Sequence, residues 1–364
     1  MKLTKFFALL CAVLGFVACG NENGADEVAT IFMQVDKEVV NIGETVTFTI
    51  TDADGNDLTS SAVIYDSEWT ELEGPTFTPE KSGIFTFIAS VGAANSDYLD
   101  ITVLCAEPVL PANSNDSTKF NHRGLFIDHT GVNCGWCPTV VDLFLDFAKT
   151  EWHEHYNEVT VHAGGFASGD PANSAAANSL NKFHNPQGSP DVRLNFYGGQ
   201  IGSRTTAALA ELLDGYIKKE GADVGIALAA NSDPTKVLLK SQIKAAVAQE
   251  YTVNAWLLES GIVCKKQAGA SKPEHYIYNY ALRNFSETVN TLGTNISGKN
   301  IGNLEAGATY DYNATIKIEN KKWNWENMGV LVVVSAKNAQ GRWEIVNTAY
   351  CKVGESKPYE FVAE

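Results

Sequence analysis

Leu125-Phe126-Ile127-Asp128-His129-Thr130-Gly131-Val132-Asn133-Cys134-Gly135-Trp136-Cys137-Pro138 is the stretch on which the reading of this chain turns. Gly124-Leu125-Phe126-Ile127 has the apolar character of a strand. Val140 to Trp152 carries Val141, Phe144, Leu145, Ala148 and Trp152 at i, i+3, i+4, i+7 and i+11, the stripe of an amphipathic helix. The cysteines therefore fall between a predicted strand and a helix N-terminus, where unsatisfied N–H groups and the positive end of the helix dipole favour a thiolate. A spacing of two residues lets the sulfurs close a small, reducible disulfide, and Pro138 fits a first helical turn because its missing N–H has no partner there. Zinc is the rival reading. It needs two further ligands, no second C-x-x-C exists, and His129 and His162 are the only nearby imidazoles, so no metal is expected.

Outward from this point the periodicity alternates. Glu158 to His162 reads as a second strand, Ala172 to His184 as helix-prone, Val192 to Tyr197 as extended and Thr205 to Lys219 as helix, an α/β unit over residues 119–222. From Asp223 the pattern is all-β, with strands expected at Val224 to Ala229, Val237 to Ala245, Tyr251 to Cys264, Tyr276 to Leu282, Tyr310 to Ile318, Gly329 to Ala336 and Trp343 to Cys351. This predicts a β-sandwich over 223–354 and a tail over 355–364. Residues 31–105 show short alternating runs such as Val46-Thr47-Phe48-Thr49-Ile50, separated by turn signals such as Asp54-Gly55, as in an immunoglobulin-like sandwich. A polar, Pro-containing linker follows over 106–118. Asp52-Ala53-Asp54-Gly55-Asn56-Asp57 invites a calcium reading, but the glycine and glutamate of such a loop are replaced by Asp57 and Val63, and a hairpin turn accounts for it.

The 364 residues are 45% hydrophobic and 19% charged, a globular balance. The formal charge of -16 argues against a nucleic-acid partner, whose phosphates it would repel. Lys2 and Lys5 precede an apolar run from Phe6 to Ala18 that is too short to span a bilayer, which identifies residues 1–18 as a signal peptide. Its end, Phe16-Val17-Ala18-Cys19, resembles the lipobox of bacterial lipoproteins, with Phe in place of the usual Leu. That resemblance makes Cys19 the lipidated first residue, 19–30 a tether, and the chain an exported protein held to a membrane by its N-terminal lipid, in the cell envelope and at the outer membrane. Ordinary signal cleavage with Cys19 left as a plain thiol is the alternative. Disulfides persist after export, and Cys264 and Cys351, each ending a predicted strand, are the preferred structural pair, leaving Cys105 free.

Leu125 to Cys137 resembles the active-site strand and helix start of thioredoxin-like proteins, and Gly188-Ser189-Pro190-Asp191-Val192-Arg193-Leu194-Asn195-Phe196 resembles the strand that their cis-proline opens. The fold class expected is thus an α/β thioredoxin-like central domain flanked by two all-β immunoglobulin-like sandwich domains. By this resemblance Cys134 is the attacking thiol, Cys137 the resolving one and Asp128 the buried proton relay, with Ser189, Pro190 and Trp136 binding the substrate. The chain departs from thioredoxin at Asn133, where a Trp is usual, and over Phe166 to Gly188, which is longer. Thr130 to Pro138 and Tyr278-Asn279-Tyr280-Ala281-Leu282-Arg283 are similar to an outer-membrane lipoprotein family of Bacteroidetes named after a twenty-eight-kilodalton member. Two functions stay open. One is thiol-disulfide exchange on exported proteins or peptides, without cofactor. The other is a non-catalytic binding or adhesion lipoprotein in which Cys134 and Cys137 form a structural disulfide. His153-Glu154-His155 reads as a solvated helix end, and Trp323-Asn324-Trp325 as sandwich core.

Overall fold

The computed structural model describes residues 30–113, 115–287 and 296–362. The expected signal peptide, Cys19 and the expected tether up to residue 29 lie outside the described residues. Among those described, no helix is long and apolar enough to cross a membrane. The described residues form two compact units, one of 30–36, Thr47–Thr76 and Thr86–Leu99, the other of Lys37–Val46, Phe77–Phe85 and the described residues from Asp100 on.

Eight short strands precede the linker: β1 (Ile31–Val35), β2 (Val39–Asn41), β3 (Val46–Asp52), β4 (Val63–Asp66), β5 (Thr76–Phe77), β6 (Gly83–Val91), β7 (Ala94–Asn95) and β8 (Leu99–Leu104). In β3 the pleat buries Val46, Phe48 and Ile50 and exposes Thr47 and Thr49, the alternation that marks a half-buried strand. Within the first unit β1 pairs antiparallel with β3 and β4 with β6, and Phe48 meets Phe87 edge-on with ring centroids 5.1 Å apart. The Asp52 carboxylate accepts from the backbone N–H groups of Asp54 and Asn56 at 3.0 and 2.8 Å, a self-closed turn.

The cysteine turn belongs to the second unit. There β9 (Gly124–Thr130) runs parallel to β10 (Tyr156–His162) through the crossover helix α1 (Pro138–Phe147), and β11 (Asp191–Leu194) returns antiparallel to β9 with Asp191 opposite His129. α2 (Ala175–His184) begins where Ser174 Oγ accepts from the Ala177 N–H at 3.0 Å and ends at Asn185 with φ of 46°. It packs Ala176, Ala177 and Leu180 on Leu125, Ile127, Val159 and Val161. On the other side of β9, Phe126 packs with Val140, Leu143, Phe144 and Phe147 of α1 and with Leu209 and Leu213 of α3 (Thr206–Tyr216). The helix expected as far as Trp152 stops at Phe147, because Thr150 takes the N-cap of a separate short turn over Glu151–Glu154. Trp152 still packs on the same core.

The remaining strands are β12 (Val224–Asp233), β13 (Lys236–Ala245), β14 (Gln249–Glu259), β15 (Ile262–Val263), β16 (Ile277–Tyr278), β17 (Ala281–Phe285), β18 (Lys299–Leu304), β19 (Thr309–Lys317), β20 (Met328–Lys337), β21 (Trp343–Lys352) and β22 (Glu355–Lys357). A four-stranded sheet in the order β19-β13-β12-β22 shares a core with β14 and β20, built on Val237, Leu239, Val253 and Val332. The larger sheet runs β11-β9-β10-β17-β14-β20-β21, with β18 also on β14, so strands from either side of residue 222 share one sheet. The joint is β10 against β17, in parallel, with Thr160 opposite Ala281. Phe196 stacks on Trp256 across it at 6.1 Å, in a core where Trp256 is fully buried.

The single strand expected over Tyr276 to Leu282 is broken at Tyr280, whose φ is 53°. Ile277 and Tyr278 pair with β15, while the residues after Tyr280 enter the large sheet. In β17 Arg283 is buried against Glu259, with Nε donating to Oε2 at 2.7 Å and Nη1 to the Pro171 carbonyl at 3.0 Å. Trp323 is buried beneath that guanidinium, 5.0 Å from ring to charge, as a core residue.

The expected bridge between Cys264 and Cys351 is corrected by the structure: both are free and buried, as is Cys105. The strand ends that suggested a pair lie in different cores. Cys264 packs with Val132, Ala172 and Tyr278, whereas Cys351 faces the inter-sheet core from β21, where burial pushes its thiol up to about 12.

Two outcomes follow from this packing. Without reductant, Cys105, Cys264 and Cys351 should resist maleimide in the native protein and each label once after unfolding, as read by mass spectrometry; protection of Cys264 and Cys351 in denaturant would restore the bridge. Arg283→Met should lower stability by about 3–5 kcal/mol in denaturant unfolding, because it leaves Glu259 charged, buried and without its cation.

Candidate active site

The cysteine turn leaves β9 at Thr130 and is shaped by Gly131, where a Cβ would lie 2.5 Å from the Phe166 carbonyl oxygen, so only glycine lets the 164–167 turn close on it. That carbonyl accepts from the Asn133 N–H at 2.9 Å, and the Val132 N–H donates to Asp170 at 2.8 Å. Cys134 and Cys137 are disulfide-bonded, with Cα atoms 5.5 Å apart, and Cys137 takes the N-cap position of α1 ahead of Pro138. Trp136 between them is 73% exposed, while Cys134 and Cys137 are only 1% and 3% exposed.

What buries the sulfurs is the connection between β15 and β16, which read from sequence as no more than a link between strands. The Ala268 N–H donates to the Val132 carbonyl at 2.8 Å and Gln267 Nε2 to the Cys134 carbonyl at 3.0 Å. Gly269 lies so close to the turn that a Cβ on it would sit 2.0 Å from the Gly135 oxygen. Further on, Lys272 Nζ and His275 Nε2 both reach Asp142 Oδ1 on α1, at 2.8 and 3.0 Å. The strap is anchored from below, where the Tyr278 hydroxyl donates to Gln267 Oε1 at 2.7 Å. The Tyr278 ring packs on His162 at 4.3 Å, and His162 Nδ1 is 2.9 Å from Asp170 Oδ2. Glycine, lysine and proline between Cys264 and Tyr276 signal a loop but carry no mark of where it docks.

Asp128 stands in the middle of β9, opposite Thr160 on β10 and Val192 on β11. It is buried, and its Oδ1 has no hydrogen-bond partner. Burial pushes its carboxyl up to about 7, with Arg204 pulling it down and Asp191 adding to the rise. A cavity of about 560 Å³ opens beside it, and Asp128, Cys137 and Glu158 all line it. Glu158 is pushed up to about 8, first by burial and then by Asp128. Sequence reading placed Glu158 on the second strand without giving it a role; the available signal was an acidic residue on the same pleat face as Tyr156 and Thr160, in a strand whose other face is Val159 and Val161.

Ser189–Pro190 is a cis peptide bond at the entry to β11, beside the end of β9 from which the cysteine turn departs. The Pro190 carbonyl accepts from Gln200 Nε2 and Arg204 Nη2, both at 3.3 Å. Neither Ser189 nor Pro190 lines the cavity that joins Cys137 to Asp128. His129 and His162, the imidazoles weighed for zinc, point into other partners: His129 Nε2 is 2.8 Å from His184 Nδ1, and His162 is held by Asp170. Among the described residues no three His, Cys, Asp or Glu side chains are grouped to hold a metal ion.

No protein-family model matches the sequence, and no curated protein matches it. Among solved structures the chain is similar to HBP35 of Porphyromonas gingivalis, with a TM-score of 0.52 at 14% identity over 68% of this chain and 80% of that one. A β-glucosidase of Kluyveromyces marxianus matches with a TM-score of 0.19 at 12% identity over 37% of this chain and 14% of that one. The adhesin InvE of Yersinia pseudotuberculosis matches with a TM-score of 0.21 at 8% identity over 91% and 61%. The similarity to HBP35 is one of fold.

Proposed function

We propose that this chain is an envelope lipoprotein of the Bacteroidetes family it resembles, with a thioredoxin-like centre between two immunoglobulin-like sandwiches, and that it exchanges thiols and disulfides with exported proteins through Cys134 and Cys137. The observation that carries this reading is Asp128. A buried carboxyl with an unpartnered oxygen is costly, and a purely structural disulfide has no use for one beside Cys137. In the reduced state the Cys134 thiolate attacks a substrate disulfide, forming a mixed disulfide and releasing one substrate sulfur, which takes up a proton. The Cys137 thiol passes its proton to the Asp128 carboxylate and attacks Cys134 Sγ, releasing the second substrate thiol and closing the pair. The substrate is reduced by two electrons and the pair oxidised by two. Ser189, Pro190 and the exposed Trp136 would hold the substrate chain beside the turn, after the strap has moved from Cys134.

A second reading rests on that strap. Cys134 is buried under Gln267 and Gly269, and a disulfide so covered suits a binding or adhesion lipoprotein that keeps the scaffold without turnover. Reduction potential and alkylation separate the two. Exchange predicts a potential above about -300 mV, Cys134 alkylated by iodoacetamide well ahead of Cys137 after reduction, and measurable insulin reduction. A lower potential with neither behaviour would leave the binding reading.

Asp128→Asn should slow insulin reduction while raising stability. A carboxyl whose folded pKa is raised contributes stability below its unfolded pKa of 3.8 and loses it as pH climbs through about 7. The wild type should therefore weaken across that window relative to Asp128→Asn, by a few kcal/mol at pH 8 in denaturant unfolding. Parallel unfolding curves for the two proteins from pH 4 to 8 would remove the buried acid from the account.

Cys19→Ser should release the protein from the membrane fraction, because a lipid on Cys19 is the anchor proposed here. Undiminished sedimentation of that variant with membranes would rule the anchor out.

A further inference from the structure

The cavity beside Cys137 holds a set of groups that thiol exchange does not use. The Glu158 carboxylate has no hydrogen-bond or ion-pair partner among the described residues, and its electrostatic neighbours are the Asp128 carboxyl and the hydroxyls of Tyr156 and Tyr280. Tyr350 meets Tyr280 edge-on at 5.6 Å, and all three tyrosines line the cavity. None of the three hydroxyls has a protein hydrogen-bond partner among the described residues. From α1, Val141, Phe144 and Leu145 join the same lining. The cationic lining does not neutralise the acids from within: Arg123 is held by two hydrogen bonds to Glu360, at 3.0 and 2.8 Å, and Lys352 stands exposed at the rim.

Arg204 pulls on Asp128 from outside this lining, but among the described residues neither carboxyl is ion-paired, so two carboxyls face one cavity without a partner charge in it. Burying a carboxylate is expensive unless it is paired and hydrogen-bonded, and both acids hold their protons to higher pH instead. A ligand that brings a positive charge and N–H donors would relieve this. The faces of tyrosine rings add attraction for that same charge, worth about 0.5–2 kcal/mol per ring, and an apolar wall accepts a hydrocarbon body.

We propose that this cavity binds an organic ammonium ion, with the cationic head between Glu158 and Asp128 and against the tyrosine rings, and the apolar body along the α1 wall. The oxidised protein suffices, so the site stands or falls separately from thiol exchange. The ammonium group can belong to a free amine or to a lysine side chain of a bound peptide.

The test is calorimetric titration of the oxidised full chain with phenethylammonium, its neutral counterpart phenethyl alcohol, and a blocked lysyl amide. The amine should bind at least tenfold more tightly than the alcohol. Glu158→Gln should remove that advantage while leaving alcohol binding unchanged, and Tyr280→Phe should retain most of it. Leu145→Trp, which fills the apolar wall from a half-exposed position, should weaken the amine and alcohol alike, and it serves if Glu158→Gln fails to fold. Binding of the lysyl amide as tight as that of phenethylammonium assigns the site to protein-borne lysine, and a clear preference for the latter assigns it to free amines. Absence of amine binding, equal binding of amine and alcohol, or an amine affinity untouched by Glu158→Gln would overturn the proposal.

Discussion

The arrangement around the cysteines depends on one short parallel pairing. The Thr160 N–H donates to the Tyr280 carbonyl at 3.0 Å and its hydroxyl to the Asn279 carbonyl at 2.8 Å, setting β17 against β10 with Thr160 opposite Ala281. This is few hydrogen bonds for a joint in an eight-stranded sheet, so side chains carry the rest. Arg283 and Glu259 lock β17 from one side, and Trp256, Phe196 and Phe285 fill the apolar layer beneath. The left-handed Tyr280 turns the chain at the joint, placing Tyr278 under the strap and Ala281 in the sheet. Stability of the joint and coverage of the cysteines thus have one origin.

That origin sets a conflict at the site. The sulfurs are buried where Gln267 and Ala268 donate hydrogen bonds to the Cys134 and Val132 carbonyls. Chemistry at Cys134 requires those bonds to open, and each is an ordinary neutral hydrogen bond worth about 0.5–1.5 kcal/mol net. In the second tether the Lys272 arm to Asp142 is half-exposed and correspondingly weak, whereas His275, which reaches the same carboxylate, is buried. The strap is held by contacts that can be exchanged singly, unlike the core below it.

The acids show the opposite economy. Asp128 and Glu158 are kept where neither is ion-paired, a position that apolar residues of similar size would fill at lower cost. Asp128 adds to the rise of Glu158, and the two share a cavity with Cys137 and four tyrosines. Natural cores seldom retain such groups without a chemical use for them.

Much of this was legible from sequence because it depends on local rules. The C-x-x-C spacing, Pro138 and the stripe on Val140 to Trp152 specify a disulfide ahead of a helix. Alternation and turn residues mark most strands. Those properties follow from backbone sterics and the periods of helix and strand, which a short window contains. The cis bond at Ser189–Pro190 is different, being expected only from the likeness of residues 188–196 to the strand that a thioredoxin-like cis-proline opens. The pairing of Cys264 with Cys351 was misjudged because strand ends say nothing about which core each strand faces. Which strand sits beside β10, what covers Cys134, and that Asp128 and Glu158 open onto one cavity are decided by contacts more than one hundred residues apart, such as Gln267 with Cys134 and Thr160 with Asn279. Burial, and with it the charge state of a buried acid, is a property of the assembled fold, and only the assembled fold could decide it.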